Sequence, residues 1–139
     1  MADRSTVVVD SSVWVAYFDR DDSHSERAQL LLSSWISSEV PLVVSLFVVQ
    51  EVATVLLYQG KGLVVNIFLN FLRDQGSIKI VRPDMEFVKA VSLYAENLSW
   101  KPKMSFTDWS LAYLAIAMRA ELASFDRQLN NAVKRMKGN

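Results

Sequence analysis

Short β-branched runs alternate along this chain with longer segments whose apolar residues recur at three- and four-residue intervals. Thr6 to Asp10, built on Val7-Val8-Val9, is too short for a helix and reads as a buried strand. Ser11 and Ser12 are good helix-starting residues and predict a short apolar helix through about Phe18. Asp19 to Asp22 is a polar loop. Ser23 and Glu26 have capping-box spacing, so a second helix is expected from there to about Trp35. Pro41 introduces a second strand, Leu42 to Val44.

Ser45 can cap a third helix running to about Tyr58, which Gly60 and Gly62 should break. A fourth helix is expected to reach Gln75, with Gly76 as its stop. Ile78 to Val81 alternates as a third strand, and Pro83-Asp84 opens a fifth helix to about Asn97. After a loop around Lys101-Pro102-Lys103, Ser105 starts an Ala/Leu-rich helix to about Arg119. Leu122 to Phe125 is a fourth strand, followed by a short terminal helix. Apolar strands separated by helices predict an α/β fold, with a parallel sheet covered on both faces. In such sheets ligands bind outside the carboxyl ends of the strands.

That rule draws attention to four acids. Asp10 and Asp126 fall at strand ends, Asp108 in the first turn of a helix, and Glu51 about two turns into another. Each sits in or beside a strongly apolar segment that contains no basic residue. A bare carboxylate is costly there unless it is paired or binds a metal. At an effective dielectric of ~20 and a spacing of ~6 Å, two carboxylates repel by roughly 3 kcal/mol. Acids brought together would therefore take up protons or bind a cation, and an all-oxygen donor set suits Mg²⁺ or Mn²⁺. Such ions support in-line phosphoryl displacement without a histidine base.

Each acid also has a plain structural explanation. Asp10 can form an Asx turn, Asp126 can cap the terminal helix, and Asp108 can close a capping box with Ser105. Glu51 shares a polar stripe with Thr54 and Tyr58 and could face water. Their joint placement favours a common site.

Composition narrows the alternatives. At 139 residues the chain is expected to be a single domain, residues 1–139, and its 51% apolar content leaves material for a subunit interface. There is no cysteine, which excludes thiolate chemistry, and the one histidine, His24, reads as a surface or capping residue. Net charge is zero, with 15 basic and 15 acidic residues, so nucleic-acid binding must use local patches. The candidates are Arg127, Lys134 and Arg135 in the tail, although such a tail is more often a solvated helix end. Gly60-Lys61-Gly62 is too short for a phosphate-binding loop, and Asp19, Asp21 and Asp22 read as solvated. Trp14, Tyr17, Trp109 and Tyr113 read as core. No apolar run reaches membrane-span length, and Met1-Ala2-Asp3-Arg4 lacks a secretory layout, so the cytoplasm is the expected compartment.

The ordered set of Val-Val-Asp10-Ser11-Ser12-Val13-Trp14, Ser45 ahead of Glu51, Val81-Arg82-Pro83-Asp84, Thr107-Asp108 and Ser124-Phe125-Asp126 resembles the PIN-domain ribonucleases, most closely the VapC-type toxins. The resemblance implies a three-layer α/β/α sandwich around a parallel sheet of four to five short strands. It implies an endoribonuclease with Mg²⁺ or Mn²⁺ held by Asp10 and Asp108, completed by Glu51 and Asp126. Ser12 and Ser124 would support the acids by hydrogen bonds. A homodimer and a small antitoxin partner are further implications. Position 12 is often Asn in the family, and Ser here could reposition Asp10. A catalytically silent PIN-like module that binds RNA or protein is the alternative. An aspartyl-phosphate enzyme is disfavoured, because Ser12 occupies the place of its second acid.

Overall fold

The computed structural model describes residues 5–138, so Met1 to Arg4, read above only for the lack of a secretory layout, lie outside the described residues. Among them the order is β1 (Val7–Val9), α1 (Ser11–Phe18), α2 (Ser25–Ser37), β2 (Leu42–Ser45), α3 (Leu46–Tyr58) and α4 (Gly62–Asp74). It continues with β3 (Ile78–Val81), α5 (Met85–Asn97), α6 (Phe106–Ala117), β4 (Glu121–Ala123) and α7 (Arg127–Met136). The strands form one parallel sheet in the order β3-β2-β1-β4, and no fifth strand joins it among the described residues.

The inner strands are the most apolar. All of β1 and β2 is buried, whereas the edge strands expose Lys79 and Glu121, charges that discourage pairing with another sheet. Helical crossovers carry the chain from β1 to β2 to β3 in one direction, then back past β1 to β4. That reversal separates the helices into two groups. α1 packs on α2 and α3, and α3 on α4, while α6 packs on α5 and α7. The result is a three-layer sandwich whose topological switch point lies between β1 and β4. Trp14, Phe68, Leu32, Leu42, Leu56 and Leu111 anchor the core.

Helix ends depart from the sequence reading in instructive ways. The Ser23 capping box does not form. His24 is the N-cap residue without a side-chain cap bond, and Asp22 Oδ1 instead accepts from the His24 N–H at 2.8 Å in an Asx turn. Gly60 ends α3 in the left-handed region at φ 72, with the Lys61 N–H donating to the Leu56 carbonyl at 2.9 Å. The same closure ends α2 at Glu39 (φ 54) and α6 at Arg119 (φ 51), where no glycine signals it. Gly76, by contrast, does not adopt positive φ, and α4 stops where Gln75 turns extended. Gly62 opens α4 instead of merely breaking α3.

Candidate active site

Asp10 occupies the switch point. It follows β1, caps α1, and its backbone N–H donates to the Ala123 carbonyl of β4 at 2.9 Å. At 5% exposure its carboxylate needs partners, and it has them without any cation. The Ser11 N–H donates to Oδ1 at 2.7 Å, and the Ser11 hydroxyl lies 3.3 Å from the same oxygen. Ser12 and Ser124 hydroxyls both donate to Oδ2, at 3.0 and 2.7 Å.

The two serines also tie the loop after β4 to the start of α1. Ser12 Oγ accepts the Phe125 N–H at 2.9 Å, and Ser124 Oγ accepts the Asp126 N–H at 2.9 Å. Asparagine in place of Ser12 is therefore unnecessary for a hydrogen bond to Asp10. Ser11, read from sequence only as a helix starter, is a further partner, since it also hydrogen-bonds Glu51. Its signal was its position directly after the acid at a strand end.

The other three acids surround Asp10 unequally. Asp108 is half-buried in the first turn of α6, where Ser105 Oγ accepts its N–H at 3.1 Å and Ser105 in turn hydrogen-bonds its carboxylate. Burial pushes the Asp108 pKa up first, with the charges of Asp10 and Asp126 adding to the rise. Glu51 on α3 is likewise pushed up, chiefly by burial and further by Asp10 and Asp108. Asp126 is exposed and caps α7, accepting the Leu129 N–H at 3.2 Å.

The charges of Asp10 and Asp108 reach Glu51, and those of Asp10 and Asp126 reach Asp108, so the four carboxylates share one electrostatic neighbourhood. Among the described residues none of the four is in an ion pair, and no three acids form a ready metal-binding cluster. The donor chemistry nevertheless fits a hard divalent cation. Every donor is oxygen, and their mutual repulsion is what such an ion relieves.

The structural explanations thus hold for Asp10 and Asp126, which cap α1 and α7, and for Asp108, which stands in the first turn of α6 behind the Ser105 cap, yet Asp10 and Asp126 follow parallel strands at the same end of the sheet. The basic residues divide. Exposed Arg127 follows Asp126 directly. Lys134 instead lines a hollow with Glu121 at the amino end of β4, and the Arg135 guanidinium lies 4.1 Å from the Trp100 ring centroid. These two lie away from the acids because α7 runs back along the sheet.

His24 stacks on Phe125 at 4.5 Å, a packing role near the loop that carries Ser124 and Asp126. Asp19 is not a solvated loop acid. It is buried, and Lys61 Nζ reaches it at 2.6 Å, the main cause of its lowered pKa. Of the aromatics read as core, Trp14 is fully buried, whereas Tyr17, Trp109 and Tyr113 are only partly covered.

In metal-free buffer, Glu51→Gln is expected to raise the melting temperature at pH 7 by about 2 °C or more. A carboxyl whose pKa is higher folded than unfolded binds more protons in the folded state, so its contribution is lost as pH rises through the folded value. The neutral amide removes that loss. The gain should vanish below about pH 4, where both states are protonated. Melts across this range test it, and an unchanged or lower midpoint at pH 7 contradicts a Glu51 carboxylate penalised by burial and by its acidic neighbours.

A PIN-domain family profile matches residues 7–134, and the chain belongs to the PIN-domain family. No protein among the curated sequences compared matches it. Two solved structures share its architecture. The Mycobacterium tuberculosis VapC20 toxin, described as cleaving the sarcin–ricin loop, superposes with TM-score 0.74 at 16% identity, over 91% of this chain and 94% of that one. PAE2754 from Pyrobaculum aerophilum superposes with TM-score 0.56 at 17% identity, over 97% of this chain and 91% of that one. At these identities the likeness concerns the fold.

Proposed function

We propose that the protein is a metal-dependent endoribonuclease that hydrolyses RNA phosphodiester bonds at the acidic switch point, and that it serves as the toxin of a toxin–antitoxin pair. The observation that carries this reading is Asp10, fixed at the crevice by hydrogen bonds from Ser11, Ser12 and Ser124, with Asp108 and Glu51 within reach of its charge. Membership of the PIN family supports it.

Asp10 and Asp108 would hold Mg²⁺ or Mn²⁺, with Glu51 and Asp126 completing the set directly or through water. When bound, the ion supplies a more acidic water and offsets charge on the phosphoryl oxygens. The chain's own residues do the rest. Ser12 and Ser124 keep the Asp10 carboxylate from rotating. Glu51, whose affinity for protons is raised, can take a proton from an attacking water at its carboxyl oxygen. Exposed Arg127, next to Asp126, would meet a phosphate there, and contact with Lys134 and Arg135 would require RNA that extends along α7.

Partners follow from the same reading. Leu57, Tyr58, Leu63 and Ile67 leave apolar surface exposed on α3 and α4, as Met85 and Leu93 do on α5. Such surface suits a homodimer contact and a small antitoxin. Among the described residues no helix is long and apolar enough to cross a membrane, and the cytoplasm is the proposed compartment.

Purified protein should cut single-stranded RNA when Mg²⁺ or Mn²⁺ is supplied, and a chelator should stop it. Intact RNA under both ions would sink the proposal. One observation favours the second reading, a catalytically silent PIN-like RNA- or protein-binding module: the described acids do not form a closed three-ligand cluster. Calorimetric titration with Mn²⁺ separates the two, because a silent module takes up no cation through Asp10 and Asp108.

A further inference from the structure

Beside the acids lies a hollow of about 410 Å³ that shares Glu51 with the proposed catalytic set and extends beyond it. One wall is a single face of α3, formed by Phe47, Gln50, Glu51, Thr54 and Val55, and Ser11 of α1 and Thr107 of α6 complete the lining. The α3 residues are spaced i, i+3, i+4, i+7 and i+8, which is the register of a face meant to be covered. Yet Gln50, Thr54 and Val55 are exposed. The volume falls in the range of roughly 300–1,000 Å³ typical of small-molecule sites.

The lining chemistry selects an occupant. The hollow contains no basic residue, and its one ionisable lining group is Glu51, so a phosphate would be repelled. An aromatic ring, Phe47, supplies a stacking surface. The Gln50 amide can offer a donor and an acceptor side by side. Thr54 donates its hydroxyl proton to the Gln50 carbonyl at 2.9 Å, which leaves its oxygen lone pairs as acceptors. A neutral, flat, hydrogen-bonding group fits this set. Single-stranded RNA presents such groups as unstacked bases read on their edges by side chains.

We infer that the Phe47–Gln50–Thr54 face of α3 is a nucleobase pocket that sets which RNA is cut, by receiving the base next to the scissile phosphate. The inference rests on the nuclease reading and adds the specificity determinant. The acceptor-rich wall favours a base carrying an exocyclic amine beside a ring acceptor nitrogen, as adenine and cytosine have and uracil lacks. Gln pairs in two-point fashion with such an edge.

The test maps cut positions in a pool of random single-stranded RNA with Mn²⁺, for the wild type, Gln50→Leu and Thr54→Val. Both side chains are exposed, so each variant should fold, which a thermal melt checks. The wild type should prefer adenine or cytosine over uracil at one nucleotide flanking the cut by about tenfold, and Gln50→Leu should reduce that ratio to within about threefold. The readout is the ratio between bases rather than the rate. A wild type without base preference, or a preference unchanged in both variants, overturns the inference.

A nuclease failure would be distinguishable. If the wild type cuts no RNA, adenine, cytosine and uracil dodecamers are titrated against Asp10→Asn protein with and without Gln50→Leu. Weaker uracil binding that depends on Gln50 keeps the pocket, and equal binding of all three removes it.

Discussion

Asp10→Asn should lower RNA cleavage by more than about a hundredfold while the protein still folds. The expected loss exceeds the 10- to 100-fold typical of residues that merely support a metal ligand, because Asp10 is proposed as a ligand itself. Folding should survive because asparagine caps helices as well as aspartate, so the Ser11 N–H keeps its acceptor. The other oxygen is the difficulty. Ser12 and Ser124 both donate to Oδ2, and an amide nitrogen there would meet two donors whose oxygens already accept backbone N–H groups. A modest loss of stability should therefore accompany the loss of cleavage.

Asp108→Asn controls for that side effect, since Asp108 makes fewer such bonds and should lose cleavage similarly. Ser124→Ala should fall between, at about 10- to 100-fold, by freeing the Asp10 carboxylate. Initial rates on a labelled RNA, paired with thermal melts, provide the measurement. Undiminished cutting by both aspartate variants would end the nuclease assignment.

The largest expected effect on stability is at Trp14. Its side chain is fully buried on α1, with ring centroids 5.7 Å from Phe68 and 6.2 Å from Phe71 on α4. Truncation to alanine should cost about 3–5 kcal/mol, through lost burial and the cavity left behind. For a domain of this size that lowers the melting temperature by at least about 10 °C.

Trp14→Phe should cost much less than its smaller volume suggests. The indole Nε1 is buried and lacks a hydrogen-bond partner among the described residues. Removing it abolishes a desolvation cost of about 1–3 kcal/mol, which offsets part of the lost packing. Urea titration of the three proteins gives the comparison. A Trp14→Ala loss below about 1 kcal/mol would show that the α1–α4 aromatic packing is not as described.

Local chemistry made the elements readable. Strand β1 is announced by three consecutive valines, and Ser45, Asp84 and Ser105 cap helices where their side chains suggested. The end of α6 near Arg119 was legible, but the left-handed closures at Glu39 and Arg119 were not, because neither residue type favours that conformation. The Ser23 box failed because Asp22, one residue earlier, made a competing turn. Asp19 was misread as solvated because its partner, Lys61, lies 42 residues away and meets it only through the packing of α1 against the α3–α4 connection.

The sequence by itself determined the order of strands and helices, the apolar core, and the placing of Asp10 and Asp126 after strands. These depend on residues within a few positions of one another, where propensity, capping and periodicity act. Only the tertiary structure decided that β4 crosses to lie beside β1, because strand order is set by crossover handedness and long-range packing. That one placement brings Ser124 onto Asp10 and carries Lys134 and Arg135 away from the acids.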